Sequence, residues 1–497
     1  MKKNGFFLAL LLAGLILITI VGLTPHLQPT SQGLQPTQEA ALRLASRAGL
    51  FPWRSELWLQ AGQAALQAGD SASAIYFLEQ GLAGCKNKGG WQTAPSCNLR
   101  TPVVLTLLGD VYQLDANLPA AIQRWQAALE QFPPENLAQT PGAIQPYRGD
   151  PLVMGLLRRL AKAQRLSGDY LAASQALNRL AQLQPDDAAL LYELGLLLAA
   201  TQPEAAPAYL EQATELDASL SRSVQPLQQN IQASLPEKEP AYTLVSAGRA
   251  LANLGEWELA QAAFRGAITL RPDYAEAWAF LGFTRQRLAG AGTTSAGLPE
   301  LQKAYALNPL SISANTLLAM YWQQHEDPDL ALRYLQNAAA LDPSNPALRV
   351  DIGVTLATLG DLEAARAQYQ RATDITPADP VYYRELADFS LRYNLDIRQL
   401  ALPAARQAVL LAPNDAAALD TMGKVYIRLN DLASARRLLR HALQSDPGYA
   451  PAYLDYGVVC LLQGEDSSAL AYLSLARSLA IDSATAEQAQ RLMVDSK

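Results

Sequence analysis

The residue types that most often carry out chemistry are few in this chain and lie far apart. The three histidines are His26, His325 and His441, and neither of the last two has a serine, cysteine or metal-type partner at useful spacing. The sequence contains no phosphate-binding G-x-x-x-x-G-K-[ST] loop, no G-x-S-x-G nucleophile elbow and no H-E-x-x-H zinc motif. We therefore expect a protein that is not an enzyme, with no catalytic residue, no cofactor and no metal site. Several carboxylates converging in one groove would reopen that question.

Two of the three cysteines are close enough in sequence to form a disulfide. Cys85 and Cys97 are 12 positions apart in a glycine-rich segment, whereas Cys460 stands alone. Outside the cytoplasm such a pair is expected to oxidise, and closing the loop would stabilise the fold by roughly 3 kcal/mol. The alternatives are two free thiols or a metal site that lacks two ligands. We expect the disulfide, and we expect Cys460 to be a small buried apolar residue.

Composition excludes several functional classes. Of the 497 residues, 50% are hydrophobic and 17% are charged, which is typical of a globular chain. The balance of 39 Lys and Arg against 46 Asp and Glu gives a net charge of −7. Nucleic-acid binding needs clustered Lys and Arg to neutralise phosphates, so we expect no nucleic-acid partner.

The N-terminus has the pattern of a membrane anchor. A short basic segment at residues 1–5 precedes an unbroken apolar run from Phe6 to Leu23. At about 1.5 Å per residue this run would extend roughly 27 Å, close to the hydrocarbon thickness of a bilayer. The next charge is Glu39, so the positive-inside rule predicts a cytoplasmic N-terminus and an extracytoplasmic remainder. The sequence thus predicts a single-pass protein of the cell membrane.

A cleaved signal peptide is the alternative for the same segment. The apolar run is longer than the apolar core of a signal peptide, which does not normally exceed about 15 residues. The best small-x-small site, Gly22-Leu23-Thr24, is followed by Pro25, which makes a poor cleavage point. An uncleaved signal anchor is therefore favoured, followed at residues 24–37 by an uncharged linker rich in Pro, Gln and Thr.

The rest of the chain is a repeat. One template recurs, and its positions are counted from a large residue that starts each unit. Gly or Ala follows four positions after the start, a small residue 16 after it, a bulky residue 20 after it and Pro 28 after it. Half of the intervals between successive starts have the same length, about 34 residues. The starts are Trp58, Leu105, Leu157, Leu191, Leu244, Trp278, Asn315, Arg349, Tyr383, Leu419 and Tyr453.

This pattern resembles the tetratricopeptide repeat, a helix-turn-helix unit of about 34 residues. In the unit that begins at Arg349, the matching residues are Ile352, Gly353, Leu356, Gly360, Ala365, Tyr369, Ala372 and Pro377. The resemblance implies an all-α solenoid, a right-handed superhelix of about eleven units with the first helix of each unit lining the concave face. Small residues on facing helical stripes support it, because they let two helix axes approach closely.

The repeat boundaries predict the domain organisation. A capping helix is expected at 38–54, the solenoid at 55–484 and a polar C-terminal cap or tail at 485–497. The three long intervals predict inserts at 82–102, 134–151 and 217–240, the last of which contains a helical stretch.

The predicted concave face provides the candidate partner-binding residues. Arg158, Lys162 and Arg165 share one helix face and could hold a carboxylate or phosphate, although a solvated face is the alternative. Further along the chain an apolar character predominates, which suits an amphipathic helix or an extended peptide. These further candidates are Tyr242, Arg249, Phe283, Arg287, Met320, Val350 and Val354, and the last helices add Arg384, Asp388, Asp420 and Lys424.

Anchor and repeat together suggest a bacterial-type, membrane-anchored tetratricopeptide scaffold. It would bind protein or peptide partners outside the cytoplasm, in an envelope, secretion or surface-polysaccharide assembly. The alternative hypothesis is an accessory protein that binds a glycan or lipid-linked saccharide. In that case Trp53, Trp58, Trp91 and Tyr242 would stack on sugar rings.

Overall fold

A computed structural model describes residues 36–50, 55–86, 95–132, 150–290 and 295–495. Throughout these residues the regular elements are helices, with no strand among them, so the predicted all-α repeat fold is confirmed. In chain order the α-helices are α1 (Pro36–Leu50), α2 (Ser55–Gln67), α3 (Ser71–Lys86), α4 (Pro95–Leu114), α5 (Leu118–Leu129), α6 (Pro151–Leu166), α7 (Tyr170–Leu183), α8 (Ala188–Thr201), α9 (Ala206–Leu216), α10 (Ser221–Ser234), α11 (Pro240–Asn253), α12 (Trp257–Leu270), α13 (Ala275–Ala289), α14 (Leu298–Leu307), α15 (Ile312–Gln324), α16 (Pro328–Leu341), α17 (Pro346–Thr358), α18 (Leu362–Ile375), α19 (Pro380–Tyr393), α20 (Leu402–Leu411), α21 (Ala416–Arg428), α22 (Leu432–Ser445), α23 (Ala450–Leu462), α24 (Asp466–Leu479) and α25 (Ser483–Asp495).

Most of these helices form consecutive pairs. The first helices of the pairs are α2, α4, α6, α8, α11, α13, α15, α17, α19, α21 and α23, and each is followed by its second helix. Three further helices, α1, α10 and α25, lie outside this pairing. A π-helical turn at Ile397–Ala401 leads into α20.

Local sequence determines where the helices of a pair end and begin. Gly360 follows α17 with φ of +87°, a left-handed conformation that glycine adopts without strain. The next residue, Asp361, accepts a hydrogen bond of 3.0 Å from the backbone N–H of Ala364 and so caps α18. In this Gly-Asp turn one residue ends a helix and the next caps another, and Gly168 with Asp169 repeats the arrangement.

Close helix packing explains the small residue four positions after each repeat start. A Cβ atom added at Gly353 would lie 2.8 Å from the ring of Tyr369, and one at Gly423 would lie 2.9 Å from Leu439. These distances are shorter than van der Waals contact, so only glycine lets the large side chain of the second helix rest on the first.

The chain divides into two compact units. Unit 1 comprises residues up to Leu198 together with Ala208–Ser219. In unit 1, α1 packs on α2, and the core there contains the buried side chains of Trp58 and Phe77. Trp125 is completely buried on α5.

Unit 2 comprises Ala199–Pro207 and Leu220–Lys497. The extra helix α10 packs against α11 and buries Leu227 and Ile231. First helices of successive pairs contact one another in two runs, α11–α13–α15 and α17–α19–α21–α23. We call the exposed side chains of these seven helices the first-helix face of unit 2. At the end of the unit α25 packs on α24.

Some sequence predictions fall outside the part of the chain that the structure describes. These are the anchor from Phe6 to Leu23, residues 24–35 of the linker and most of the insert at 134–151. The side chains of Cys85 and Cys97 are outside it too, so the disulfide stays a prediction. Among the described helices, none combines the length and the apolar character that a membrane crossing requires.

Candidate functional site

The three basic residues predicted on α6 come together in unit 1, but their charge is partly neutralised. Arg158 forms an ion pair of 2.8 Å with Asp187, and Arg165 forms one of 3.2 Å with Glu193. All three basic side chains line a groove of about 470 Å³ between α6 and the beginning of α8. Because two of the three cations are already paired with Asp187 and Glu193, an incoming anion would have to compete with these carboxylates.

The arginines predicted on the first-helix face of unit 2 lie over aromatic rings. The guanidinium of Arg249 is 5.2 Å from the ring centre of Phe280, and that of Arg287 is 5.1 Å from the ring of Trp257. Phe283 packs edge-on against the same Trp257 at 6.0 Å. Each arginine is therefore held by a cation–π contact with its charge accessible.

The apolar candidates divide into exposed and packed side chains. Tyr242 on α11 and Val354 on α17 are each 38% exposed. In contrast, Phe283 and Met320 are half-buried against the core of α13 to α15, and Val350 packs against the core of α17 to α21. Part of the predicted apolar surface thus belongs to the contacts between helices.

The most unusual arrangement in unit 2 is a group of charged side chains that we call the acidic cluster: Asp388, Asp420, Lys424 and Asp455. The ammonium of Lys424 lies 2.7 Å from Asp420 and 3.6 Å from Asp455. Asp388 accepts a hydrogen bond of 3.1 Å from the hydroxyl of Thr421. Two carboxyl groups, supplied by α21 and α23, thus form ion pairs with one ammonium group, and the nearby carboxyl group of Asp388 on α19 adds to the electrostatic attraction.

Burial controls the protonation of this cluster. Desolvation raises the pKa of Asp388 above its usual value, although Lys424 and Thr421 oppose the shift. Desolvation, reinforced by the charge of Asp420, raises the pKa of Asp455 well above its usual value. Burial disfavours the charged form of Lys424, but the attraction of Asp420, Asp455 and Asp388 outweighs it and raises the lysine pKa. The lysine therefore remains charged, while Asp388 and Asp455 hold their protons more tightly than exposed aspartates do.

Sequence reasoning placed Asp388, Asp420 and Lys424 on the predicted concave face but missed Asp455. A signal was available. Two positions after the repeat start, consecutive units carry Asp351, Glu385, Thr421 and Asp455, so three of four units have a carboxylate at the same place. Equivalent positions on neighbouring first helices face the same side, and the acidic column therefore predicts a shared acidic surface.

The carboxyl group of Asp351, a member of this acidic column, lowers the stability of the fold at neutral pH. Desolvation, followed by repulsion from Glu385, raises the pKa of Asp351 to about 6. The native state therefore holds this proton more tightly than the unfolded chain, and stability falls as the pH rises through the interval between the two pKa values. We expect Asp351→Asn to raise the free energy of unfolding by about 2 kcal/mol at neutral pH, with the gain shrinking towards pH of about 4.

Urea denaturation at several pH values measures this effect. Asp374→Asn, on the exposed side of α18, removes the same formal charge and serves as the control. A gain for Asp351→Asn that did not change with pH, or an equal gain in the control, would contradict the prediction.

The convergence of three carboxyl groups meets the condition that would reopen an enzymatic role. However, Asp420 has no exposed side-chain surface, so it cannot contact a substrate directly. No group of three or more His, Cys, Asp or Glu with metal-binding geometry occurs in the described parts of the chain. The contacts that the structure shows are internal to the cluster: Asp420 and Asp455 form ion pairs with Lys424, and Asp388 accepts a hydrogen bond from Thr421.

Of the residues of the glycan hypothesis, the structure describes Trp58 and Tyr242. Trp58 is buried in the core of unit 1 and cannot stack on a sugar, whereas Tyr242 is exposed in unit 2. Trp53 and Trp91 lie outside the described residues.

Family models support the repeat assignment. A model described as tetratricopeptide repeat matches residues 245–283 and 316–380, and a second model with the same description matches residues 426–492. These matches confirm that the chain contains tetratricopeptide repeats.

Individual proteins match over limited parts of their length. The chain is 26% identical over 204 residues to BBSome complex member bbs-4 of Caenorhabditis elegans, which covers 40% of this chain and 42% of that protein. It is 31% identical over 186 residues to the protein O-mannosyl-transferase TMTC1 of Homo sapiens, and this match covers 36% of this chain and 20% of that protein. The chain thus spans less than half the length of these curated relatives.

Among solved structures, yeast Tom70 is similar with a TM-score of 0.43 and 15% identity, covering 93% of this chain and 96% of that chain.

Proposed function

We propose that this chain is a scaffold that binds protein or peptide partners on the first-helix face of unit 2, because tetratricopeptide repeats generally mediate protein–protein interactions. The observation that carries the proposal is the composition of that face. It presents an exposed tyrosine, Tyr242, an exposed Val354, and the arginines Arg249 and Arg287 held on aromatic rings. Tyrosine and arginine are enriched at the energetically important positions of protein interfaces.

The name of one relative agrees with this role. BBSome complex member bbs-4 is, by its name, a component of a multiprotein complex. The human relative is named as a transferase, but the match covers only 20% of it, which is too little to transfer an enzymatic activity. We therefore propose a binding protein that is not an enzyme.

We further propose that the scaffold is attached to the cell membrane of a bacterium through the segment from Phe6 to Leu23. The sequence supports this placement through the length of the apolar run and the lysines that precede it. The repeats would then lie outside the cytoplasm, where the chain would serve an envelope, secretion or surface-polysaccharide assembly.

The scaffold proposal predicts a partner that depends on the first-helix face. Crosslinked co-purification of the tagged full-length protein from its native membrane, followed by mass spectrometry, should recover a stoichiometric partner. We expect Tyr242→Asp combined with Val354→Asp to reduce its recovery by about tenfold or more, because charges introduced at the centre of an interface are costly to desolvate. Phe283 is unsuitable for this test, since an aspartate there would disturb the packing on Trp257.

A matched control distinguishes loss of binding from loss of folding. Leu270 on α12 and Leu410 on α20 are exposed on second helices, so Leu270→Asp with Leu410→Asp adds the same charge away from the first-helix face. Equal loss in both double variants, or no stoichiometric partner at all, would overturn the proposal. In the latter case glycan and lipid-linked ligands would be screened next.

A further inference from the structure

Two consecutive second helices of unit 2 carry positive charge and no acidic residue. Neither α20 nor α22 contains an Asp or Glu, whereas each of the five other second helices in the unit contains at least one. We call four exposed side chains of these two helices the basic band: Arg406 on α20, and Arg437, Arg440 and His441 on α22. In a chain with a net charge of −7, the band is a local concentration of positive charge.

The repeat places the side chains of the basic band on one surface. Arg406 and Arg440 occupy the same position of consecutive repeats, since each lies seven residues before the proline that follows its helix. Equivalent positions of stacked repeats face the same side. On α22, Arg437 precedes Arg440 and His441 by three and four positions, so the three share one helix face. The imidazole of His441 lies 3.1 Å from the side-chain oxygen of Asn414, in the turn after α20.

The arginines of the basic band have no carboxylate partner among the described residues. The guanidinium of Arg440 approaches the hydroxyl of Tyr456 at 3.5 Å, and that of Arg437 approaches a serine hydroxyl at 3.2 Å. The neighbouring carboxylate of Asp431 caps α22 by accepting a hydrogen bond of 3.1 Å from a backbone N–H. Arg436, in contrast, forms an ion pair with a glutamate of the next repeat. The guanidinium groups of the band therefore keep donors available for an external anion.

The composition of the basic band differs from that of the proposed partner-binding face. α20 and α22 contain no Phe, Tyr or Trp, whereas the energetically important positions of protein interfaces are enriched in Tyr, Trp and Arg. Leu410, one helical turn after Arg406, is 71% exposed. At a membrane surface arginines attract anionic headgroups, and an exposed leucine can enter the interface. The composition therefore favours an anionic lipid surface over a protein segment.

We propose that the basic band rests on the anionic phospholipid headgroups of the membrane to which the chain is attached. This inference rests on the proposed membrane attachment and adds a second contact to it. Near an anionic membrane each arginine strengthens association by roughly fivefold, so three arginines alone give a weak contact. The anchor would make that weak contact sufficient, because a tether turns the second binding event into an intramolecular one.

Arginine footprinting of the full-length protein in lipid vesicles tests this inference. Phenylglyoxal modifies accessible guanidinium groups, and mass spectrometry gives the rate at each arginine. One set of vesicles is phosphatidylcholine, and the other contains about one third phosphatidylglycerol. We expect Arg437 and Arg440 to react about threefold or more slowly in the anionic vesicles, because headgroup phosphates occupy their donors. Arg265 on α12 and Arg333 on α16, both exposed, should react equally in the two sets.

A charge-removing variant shows whether the basic band acts as one surface. Arg406→Gln on α20 should at least halve the protection of Arg437 and Arg440 on α22, because it removes one of the three arginines. Arg265→Gln is the matched control. It removes the same charge at the same repeat position, but on a helix that also carries Glu258, and it should leave the protection unchanged. Raising the salt from about 0.05 M to about 0.5 M should abolish the protection in the unmodified protein.

The outcomes separate the lipid contact from the other proposals. Equal rates in both sets of vesicles, protection that survives high salt, or an equal loss in Arg265→Gln would overturn it. A peptide of repeated Glu-Ser-Ser tests the alternative occupant: if it protects Arg437 and Arg440 and anionic vesicles do not, the band binds an acidic protein segment. A protein that fails to float with phosphatidylcholine vesicles would contradict the anchor alone, since anionic vesicles would still report on the band. Partner recovery tests the scaffold proposal independently of both.

Discussion

Trp125→Ala should reduce the free energy of unfolding of unit 1 by about 3 to 5 kcal/mol, the usual cost of truncating a buried tryptophan. The Trp125 side chain is completely buried on α5 and rests directly on Gly109 of α4, where an added Cβ would lie 2.3 Å from its Nε1. Gly109 has no side chain that could fill the space left by the indole. The substitution therefore creates a cavity at the contact between the two helices of one repeat.

The tryptophan also links three consecutive helices by polar contacts. Its Nε1 donates to the carboxylate of Asp110 at 3.1 Å, and Asp110 forms an ion pair of 2.8 Å with Arg159 of α6. Burial raises the pKa of Asp110, so this carboxylate depends on its donors to remain charged. Loss of the indole should thus loosen α4, α5 and α6 together. Urea denaturation and hydrogen exchange of these helices measure the effect, because repeat arrays can open locally.

Two smaller substitutions separate the cavity from the hydrogen bond. Trp125→Phe keeps most of the ring but removes the donor, and should cost about 1 to 2 kcal/mol. Trp322→Phe is the matched control, because the indole N–H of Trp322 is buried without a hydrogen-bond partner. We expect Trp322→Phe to cost less than Trp125→Phe. The reverse order would show that ring packing, rather than the donor, dominates at both sites.

Much of the fold could be predicted because the repeat depends on short-range signals. Gly360 and Asp361 form the turn between α17 and α18, and both residues act within a few positions of their own place in the chain. The contact of Gly353 with Tyr369 is also local, since the two residues are 16 positions apart. The extent of burial was harder to predict. Periodicity places a residue on one side of a helix, but the neighbouring repeat decides whether its side chain is covered.

The candidate site illustrates this difficulty. Val350 and Val354 are one helical turn apart on α17, yet Val350 packs against the neighbouring core and Val354 is exposed. Likewise, Arg158 and Arg165 share a helix face as predicted, but their ion-pair partners Asp187 and Glu193 belong to the next repeat. Such partners come from the following repeat unit. They can be found in the sequence by comparing the residues that occupy the same position in successive repeats. The same comparison identifies the acidic column that ends at Asp455.

Gly297→Ala should be among the most damaging single-methyl additions in unit 2. Gly297 precedes α14 with φ of +84°, and an added Cβ would lie 2.1 Å from the backbone carbonyl oxygen of Gly282 on α13. A left-handed backbone costs a residue with a side chain about 1 kcal/mol. The steric conflict adds about 1 to 3 kcal/mol, and it is with backbone, which cannot rotate away. We therefore expect a total loss of about 3 kcal/mol in the stability of unit 2.

Gly255→Ala isolates the two contributions, because Gly255 has nearly the same φ of +82° but has open space around its Cβ position. It should cost only about 1 kcal/mol, and urea denaturation of both variants gives the difference. Equal losses would mean that backbone conformation alone explains the effect and that α13 and α14 can separate freely. A larger loss for Gly297→Ala implies that α13 must shift, and α13 carries Phe283 and Arg287, which pack on Trp257. We then expect hydrogen exchange in α13 and α14 to increase in Gly297→Ala but not in Gly255→Ala, because only the first substitution forces these two helices apart.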